Sequence, residues 1–336
     1  MSKLSTLSVI SNNSLATLRD YVASYAGLNG GDPRSPVWLC ALEWGRGLVK
    51  AVEDNGAPHG EGSFSKYDKD YYYLPNVDDG ADAEAWVRGC FDNRGNEGKG
   101  RRGGSSFYRS QFGILTALIE NPLDSTSMTR SREAAKQYEY LGENRLGYSC
   151  NLSPISMANR NTAEKEWWQS GIVKVKEYDH PISLAEWTGI THYAKADSEH
   201  PEHPEDTFMS WCIQVRSPLF IELRKKYSPT VIYCGGCTVA FEEYCKFWSG
   251  RGSSELSLET IEVGGKKNCS YVWLDNGEGK QPTLLMIGPF FCNRNGLNSY
   301  KKYWAVAKTI RDLVDKKMGK DFLPRQLKKF LPEMKD

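Results

Sequence analysis

The stretch SPVWLCALEWGRG, residues 35–47, joins a short apolar run to an acid, a tryptophan and two glycines. Its first part, Val37 to Leu42, is apolar throughout, which predicts a buried strand. The break that follows at Glu43 is typical of a strand that ends at the edge of a sheet. Glu43 is therefore either the charged end of an ordinary strand or a carboxylate held at that edge for catalysis.

Three further runs of the same kind lie along the chain, with helical patterns between them. The further predicted strands are Gly147 to Leu152, Thr230 to Tyr233 and Thr283 to Ile287. The predicted helices are Ser106 to Glu120, Pro218 to Tyr227, Ala240 to Trp248 and Ser299 to Met318. Strands that alternate with helices imply parallel pairing, right-handed crossovers and helices on both faces of a sheet. The order of elements predicts the α/β class.

The intervals between these runs are longer than simple crossovers require. Two insertions fill them, at about residues 57–104 and 162–206, and neither has a linker that would define a separate domain. We therefore predict one decorated domain over residues 1–336.

The composition is that of an ordinary globular protein, with 40% hydrophobic and 25% charged residues. No run approaches the roughly 20 apolar residues that span a bilayer, and the N-terminus does not resemble a secretory signal. Nine cysteines, an odd number, lie mostly within apolar runs, which favours buried thiols over a disulfide framework. These features predict a cytoplasmic protein with reduced cysteines and no membrane partner.

The formal charge of +1 gives no argument for a polyanionic partner, but the distribution of charge does. The segment RGNEGKGRRGG, residues 94–104, concentrates four cations among glycines that disfavour helix and strand. Such a loop suits contacts to phosphates, and its alternative interpretation is a solvated surface loop. Arg101 and Arg102 are the candidate phosphate ligands within it.

Polar residues follow three of the four predicted strands. They are Glu43 after the first, Asn151 at the end of the second, and the segment Gly288 to Asn295 after the fourth. In parallel sheets the ligand binds beyond the carboxyl ends of the strands. A single acid or amide there is more often a turn residue, so the convergence of all three is what favours a site.

These fragments, in this order, resemble motifs of the uracil-DNA glycosylase superfamily. Ala41 to Gly45 is similar to the first motif, and Ser149 to Leu152 is similar to the second strand's end. Arg216 to Phe220, followed by Ser228 to Ile232, resembles the helix and third strand of many members. The resemblance implies a three-layer α/β/α sandwich around a four-stranded parallel sheet. It also implies a loop after Gly288-Pro289 that enters the minor groove of double-stranded DNA.

The resemblance assigns roles that the chemistry of the residues supports. Glu43 would orient the attacking water and stabilise the positive charge that develops on the sugar. Asn151 would read the edge of a flipped base, because an amide offers a donor beside an acceptor. Trp44 and Phe64 are the favoured aromatic partners of that base. The remaining candidate DNA contacts are Asn293, Arg294, Asn295 and Asn298.

The chain also departs from the superfamily motifs. Trp44 stands where a proline is usual, and Gly288-Pro289 replaces a His-Pro or Asn-Pro pair, so no histidine is available to stabilise the leaving base. With the Phe290-Phe291 pair and the first insertion, this suggests a reshaped pocket. We therefore expect a modified or damaged pyrimidine as substrate, such as a hypermodified base of viral DNA, which would make the enzyme a defence protein.

No cofactor is expected. Cys234 and Cys237 have the spacing of a metal or redox pair, but there is no second CxxC, so a buried turn is the favoured interpretation. No lysine stands in a motif position, so a monofunctional glycosylase is expected. Two alternatives stay open: a non-catalytic nucleic-acid-binding module of this fold, and a nucleoside or nucleotide hydrolase with Glu43 as general base. The sequence gives no indication of a protein partner.

Overall fold

The computed structural model describes residues 23, 30–41, 106–120, 123–124, 147–151, 185, 190, 207–236, 240–264, 266–291 and 296–330. Contacts divide the chain into two compact units. The first holds residues 1–27, 43–86 and 151–219, and the second holds residues 28–42, 87–150 and 220–336. The two insertions lie almost entirely outside the described residues. A single domain over residues 1–336 stays a prediction.

The described elements alternate between strands and helices along most of the chain, as the α/β class requires. The strands are β1 (Gly30–Gly31), β2 (Val37–Ala41), β3 (Tyr148–Asn151), β4 (Val231–Gly235), β5 (Glu259–Val263), β6 (Lys266–Leu274) and β7 (Thr283–Gly288). The helices are α1 (Ser106–Glu120), α2 (Phe208–Tyr227), α3 (Phe241–Ser249), α4 (Tyr300–Met318) and α5 (Phe322–Lys328). All four predicted strands are confirmed to within about two residues.

The strands form one sheet in the order β1-β3-β2-β4-β7-β6-β5. Its centre is parallel: Val37 of β2 lies beside Val231 of β4, which lies beside Leu284 of β7. Every residue of these three strands is buried. Continuous apolar runs form such strands because both faces of a parallel sheet are covered.

One face of the parallel centre packs against α1, α4 and α5. Its strand residues are Val37, Leu39, Ala41, Val231, Tyr233, Leu284 and Met286. The helices contribute apolar residues at three- and four-residue spacing, such as Ile310 and Val314 of α4. Gly113 allows α1 to approach α4 so closely that a Cβ atom there would collide with the ring of Tyr303.

The other face packs against an aromatic cluster from α3 and the end of α2. Trp38 of β2 lies 5.8 Å, between ring centroids, from Trp248, and Phe220 lies 4.9 Å from Phe247. All four side chains are fully buried. Alternate residues of each strand point to opposite faces, so β2 contributes to both cores. The helices therefore cover both faces of the sheet, as the order of elements predicted.

The prediction of a four-stranded parallel sheet was wrong, because the sheet is mixed and has seven strands. The strand β6 pairs antiparallel with both β7 and β5, and β1 pairs antiparallel with β3. The missed hairpin lacks a continuous apolar run: β5 exposes Glu259, Thr260 and Glu262 and buries Val263. The sequence signal that could have identified the hairpin is the glycine pair at 264–265. Glycine is favoured in a tight turn because it tolerates a positive φ, which is 62° at Gly264.

The helix predicted from Pro218 begins ten residues earlier, at Phe208. Thr207 caps it, because its Oγ1 accepts a hydrogen bond from the backbone N–H of Ser210 at 3.1 Å. A proline such as Pro218 is expected at the start of a helix rather than inside it, because it lacks a backbone N–H and interrupts helix interiors. Here it lies inside the helix on an exposed side.

Candidate active site

The carboxyl ends of β2, β4 and β7 meet at one edge of the sheet, because the three strands are parallel and in register. Cys40 lies beside Cys234, and Gly235 lies beside Gly288. The backbone N–H of Gly236 then donates to the carbonyl of Gly288 at 2.9 Å, which extends the pairing one residue past β4. This edge is where parallel sheets bind ligands.

The glycines at these strand ends are required by close packing. A Cβ atom on Gly288 would lie 2.7 Å from the Oη of Tyr233, and one on Gly235 would lie 2.8 Å from the ring of Phe291. Both distances are shorter than packed atoms tolerate. The strands β4 and β7 therefore end without side chains of their own, and Phe291 of the loop after β7 lies directly against the end of β4.

The loop after β7, residues 289–299, is anchored to the sheet by an aromatic side chain. Phe291 is fully buried, and its ring stands edge-on to that of Tyr233, with centroids 5.5 Å apart. The Oη of Tyr233 also donates a hydrogen bond to the carbonyl of Pro289 at 2.8 Å. Phe291 is thus a core residue, and the expectation that the Phe290-Phe291 pair shapes a pocket does not hold for it.

The base of the same loop is closed by hydrogen bonds. The backbone N–H of Leu297 donates to the carbonyl of Phe290 at 2.7 Å. The hydroxyl of Ser110 on α1 donates to the carbonyl of Leu297 at 2.8 Å, and Lys302 Nζ donates to the carbonyl of Gly296 at 2.7 Å. Residues 292–295 include three predicted DNA contacts. These hydrogen bonds hold the chain on both sides of that segment.

Lys302 therefore holds the loop, whereas its neighbour Lys301 is exposed. Asn298, a predicted DNA contact, is exposed at the end of the loop.

The sequence did not identify the tyrosines that support the strand ends. Tyr233 supports Pro289, and the Oη of Tyr244 on α3 donates to the carbonyl of Gly235 at 2.7 Å. A buried tyrosine usually finds a partner for its hydroxyl. In the sequence, both tyrosines lie within apolar patterns close to the predicted end of β4. This position was the signal that could have identified them.

Most of the predicted site residues lie outside the described part of the chain. These are Glu43, Trp44, Phe64, Arg101, Arg102, Asn293, Arg294 and Asn295. Glu43 follows the last residue of β2 by two positions. Asn151 is the last residue of β3, as predicted, and only its backbone is described.

The cysteines near this edge are neutral structural thiols. Cys40 and Cys234 are fully buried side by side, and burial raises the pKa of both thiols because it disfavours the thiolate. The six described cysteines are all buried and free, as expected for reduced thiols. Cys237, the second member of the CxxC pair, lies outside the described residues.

Within the described ranges, no group of three or more histidine, cysteine or acidic side chains is arranged to hold a metal ion. Of the described helices, none has the length and apolarity to cross a membrane. A comparison of the chain with protein-family models, with curated proteins and with solved structures gave no match.

Proposed function

We propose that this protein is a monofunctional DNA glycosylase, which flips a modified or damaged pyrimidine out of duplex DNA and leaves an abasic site. The observation that carries the proposal is the parallel edge formed by β2, β4 and β7, with an anchored loop after β7. Polar residues follow β2 and β7, and one ends β3, in the order that such an enzyme needs. A parallel edge with converging loops is the usual ligand site of α/β proteins.

The proposed reaction is a hydrolysis. Water attacks C1′ of the deoxyribose while the N-glycosidic bond breaks, and the base leaves with the bonding electrons. The carboxylate of Glu43 orients the water, accepts its proton and stabilises the positive charge on the sugar. Because no histidine stands in the last motif, either the substrate is a base that leaves more readily than uracil, or a donor in the loop Asn293 to Asn298 stabilises the leaving base.

In the same proposal, Asn151 selects the base by pairing its amide with one base edge, and Trp44 and Phe64 stack on the two faces of the ring. Arg101, Arg102 and Arg294 contact backbone phosphates, which positions the duplex without reading its sequence. Modified viral DNA is the proposed source of the base, so the enzyme acts in defence.

Glu43→Gln separates catalysis from binding because it removes the charge and keeps the shape. Base release is measured on duplexes that carry uracil, 5-hydroxymethylpyrimidine or a glucosylated pyrimidine. We expect the wild type to release a modified base, and Glu43→Gln to lower the rate by about 10²–10³-fold or more with little change in duplex affinity. Glu222→Gln is the matched control, since Glu222 is an exposed acid on α2, and we expect it to be fully active.

The other outcomes discriminate between the alternatives. Release of uracil alone overturns the modified-base assignment, and full activity of Glu43→Gln removes Glu43 from the mechanism. Binding of DNA without any base release favours the non-catalytic binding module. Cleavage of free nucleosides favours a nucleoside hydrolase.

A further inference from the structure

Positive charge is concentrated at the far end of α4 and along α5. The segment 316–330 contains six of the 43 basic residues and one of the 42 acidic residues, so the other 321 residues carry 37 basic and 41 acidic ones. All six cations are exposed. We call this surface the basic corner, and its residues are Lys316, Lys317, Lys320, Arg325, Lys328 and Lys329.

The basic corner is held in one place by the turn between the two helices. The guanidinium of Arg325 donates to the carbonyls of Asp321 and Lys320, both at 3.2 Å. Lys328 and Lys329 follow Arg325 by three and four residues, which places them on the same side of α5, roughly 5–6 Å apart. The opposite side of α5 is buried in the core. The six cations are therefore exposed around the end of α4, the turn that follows it and α5.

These charges are not neutralised by acids within the described residues. The one acid of the segment, Asp321, lies 3.5 Å from Arg311, and Asp312 is paired with Lys308 at 2.6 Å. Among the described residues, no carboxylate forms a salt bridge with any member of the basic corner. A positive surface that no described carboxylate neutralises attracts polyanions.

The helix dipole explains only part of this surface. Lys316 and Lys317 lie in the last turn of α4, where cations are favourable. Arg325 and Lys328 likewise lie in the last turn of α5. The helix dipoles therefore favour four of the six cations, and they do not account for Lys320 or for the concentration of all six around one turn.

We propose that the basic corner binds the phosphate backbone of a nucleic acid. The 19 residues of α4 span about 28 Å, so this surface is remote from the loop after β7, where α4 begins. It is a second contact surface, independent of sequence and of base release. A lipid surface fits less well, because amphipathic membrane helices need an exposed apolar side, and the apolar residues of α5 are buried in the protein's own core.

The test compares two triple variants of the full chain with equal loss of charge. Lys317→Gln, Lys320→Gln and Lys328→Gln remove three of the six charges of the basic corner. The control triple is Lys225→Gln, Lys226→Gln and Lys246→Gln. These three lysines are exposed on α2 and α3, the helices that pack on the opposite face of the sheet. The probe is an unmodified duplex DNA, titrated at several salt concentrations, and thermal unfolding checks that each variant is folded.

We expect the corner triple to weaken duplex binding roughly tenfold at about 0.1 M salt, and to make the slope of log K against log salt shallower by about two to three. The control triple should change both values much less. Equal losses in both triples, or no loss in the corner triple, overturn the proposal. So does a corner triple that loses binding to anionic phosphatidylserine vesicles while it retains duplex binding. Absence of base release from every modified duplex refutes the glycosylase and leaves this duplex measurement unaffected.

Discussion

The parallel centre of the sheet and its antiparallel hairpin differ in what their strands bury. Every residue of β2, β4 and β7 is buried, whereas β5 exposes three of its five residues and buries one. The parallel strands lie between two helical layers, and they carry the edge at which the proposed site forms. The hairpin pairs with β7 through β6 and has charged residues toward solvent. Stability should therefore be concentrated in the parallel centre.

A pair of tryptophan truncations tests this difference directly and should give the largest effect. Trp248 is fully buried against the parallel centre, 4.9 Å from Phe247, whereas Trp273 of β6 is half-buried at the border of the core. We expect Trp248→Ala to lower the free energy of unfolding by about 3–5 kcal/mol and Trp273→Ala by about 1–2 kcal/mol. Urea unfolding followed by circular dichroism measures both. Equal costs would show that the hairpin carries as much of the stability as the centre.

A substitution at Gly288, where the parallel centre of the sheet meets the antiparallel hairpin, should have an intermediate effect on stability. Gly288 ends β7, which pairs with β4 on one side and β6 on the other. A Cβ atom there would meet the Oη of Tyr233 at 2.7 Å and the Sγ of Cys269 at 2.9 Å. We expect Gly288→Ala to lower the free energy of unfolding by about 1–3 kcal/mol.

A double-mutant cycle identifies the cause of that loss. Tyr233→Phe alone should cost about 0.5–1.5 kcal/mol, because it removes the hydrogen bond to Pro289. If the Oη of Tyr233 is the atom that resists the new methyl group, the double variant will cost less than the two single variants together. Strict additivity in urea unfolding would place the strain at Cys269 or in the backbone instead.

The difference in burial between the parallel centre and the hairpin also decided which strands could be predicted from the sequence. Continuous apolar runs such as Val37 to Ala41 identify strands that are buried on both faces, and all of these were found. The hairpin was missed because β5 is largely polar and exposes Glu259, Thr260 and Glu262, and α5 was missed because it is only seven residues long and contains Pro324. Local pattern has little signal for such short, half-exposed elements.

For the candidate site, the sequence supplied the order of polar residues at the strand ends, and three-dimensional packing supplied the rest. Phe291 illustrates the limit: in the sequence it is one of two aromatic residues in a loop, and only the contact with Tyr233 shows that it is a core anchor. Likewise, the hydrogen bond between Ser110 and Leu297 joins residues 187 positions apart. Such contacts depend on the topology of the whole sheet, which the sequence predicted only in its parallel part.

The smallest effect is expected within the hairpin, at the hydrogen bond that joins its two strands. The phenol of Tyr271 on β6 donates to the carboxylate of Glu259 on β5 at 2.6 Å. This hydrogen bond, with burial and the negative charge of Glu259, raises the pKa of Tyr271 to about 12 from its ordinary value of 10.0. The folded state therefore holds the phenol proton more firmly than the unfolded state does.

The sign of the pH dependence follows from that shift. The stabilisation is fully present below the unfolded pKa of about 10, and it is lost as the pH rises from there through about 12. Glu259→Gln removes the carboxylate and should return the pKa of Tyr271 toward 10, so its free energy of unfolding should depend less on pH in this window. Other groups also titrate there, so the informative quantity is the difference between wild type and variant, measured by urea unfolding at about pH 9 and about pH 11. An identical pH dependence in both proteins would mean that Glu259 does not hold the phenol proton, and that β5 and β6 are joined by backbone pairing alone.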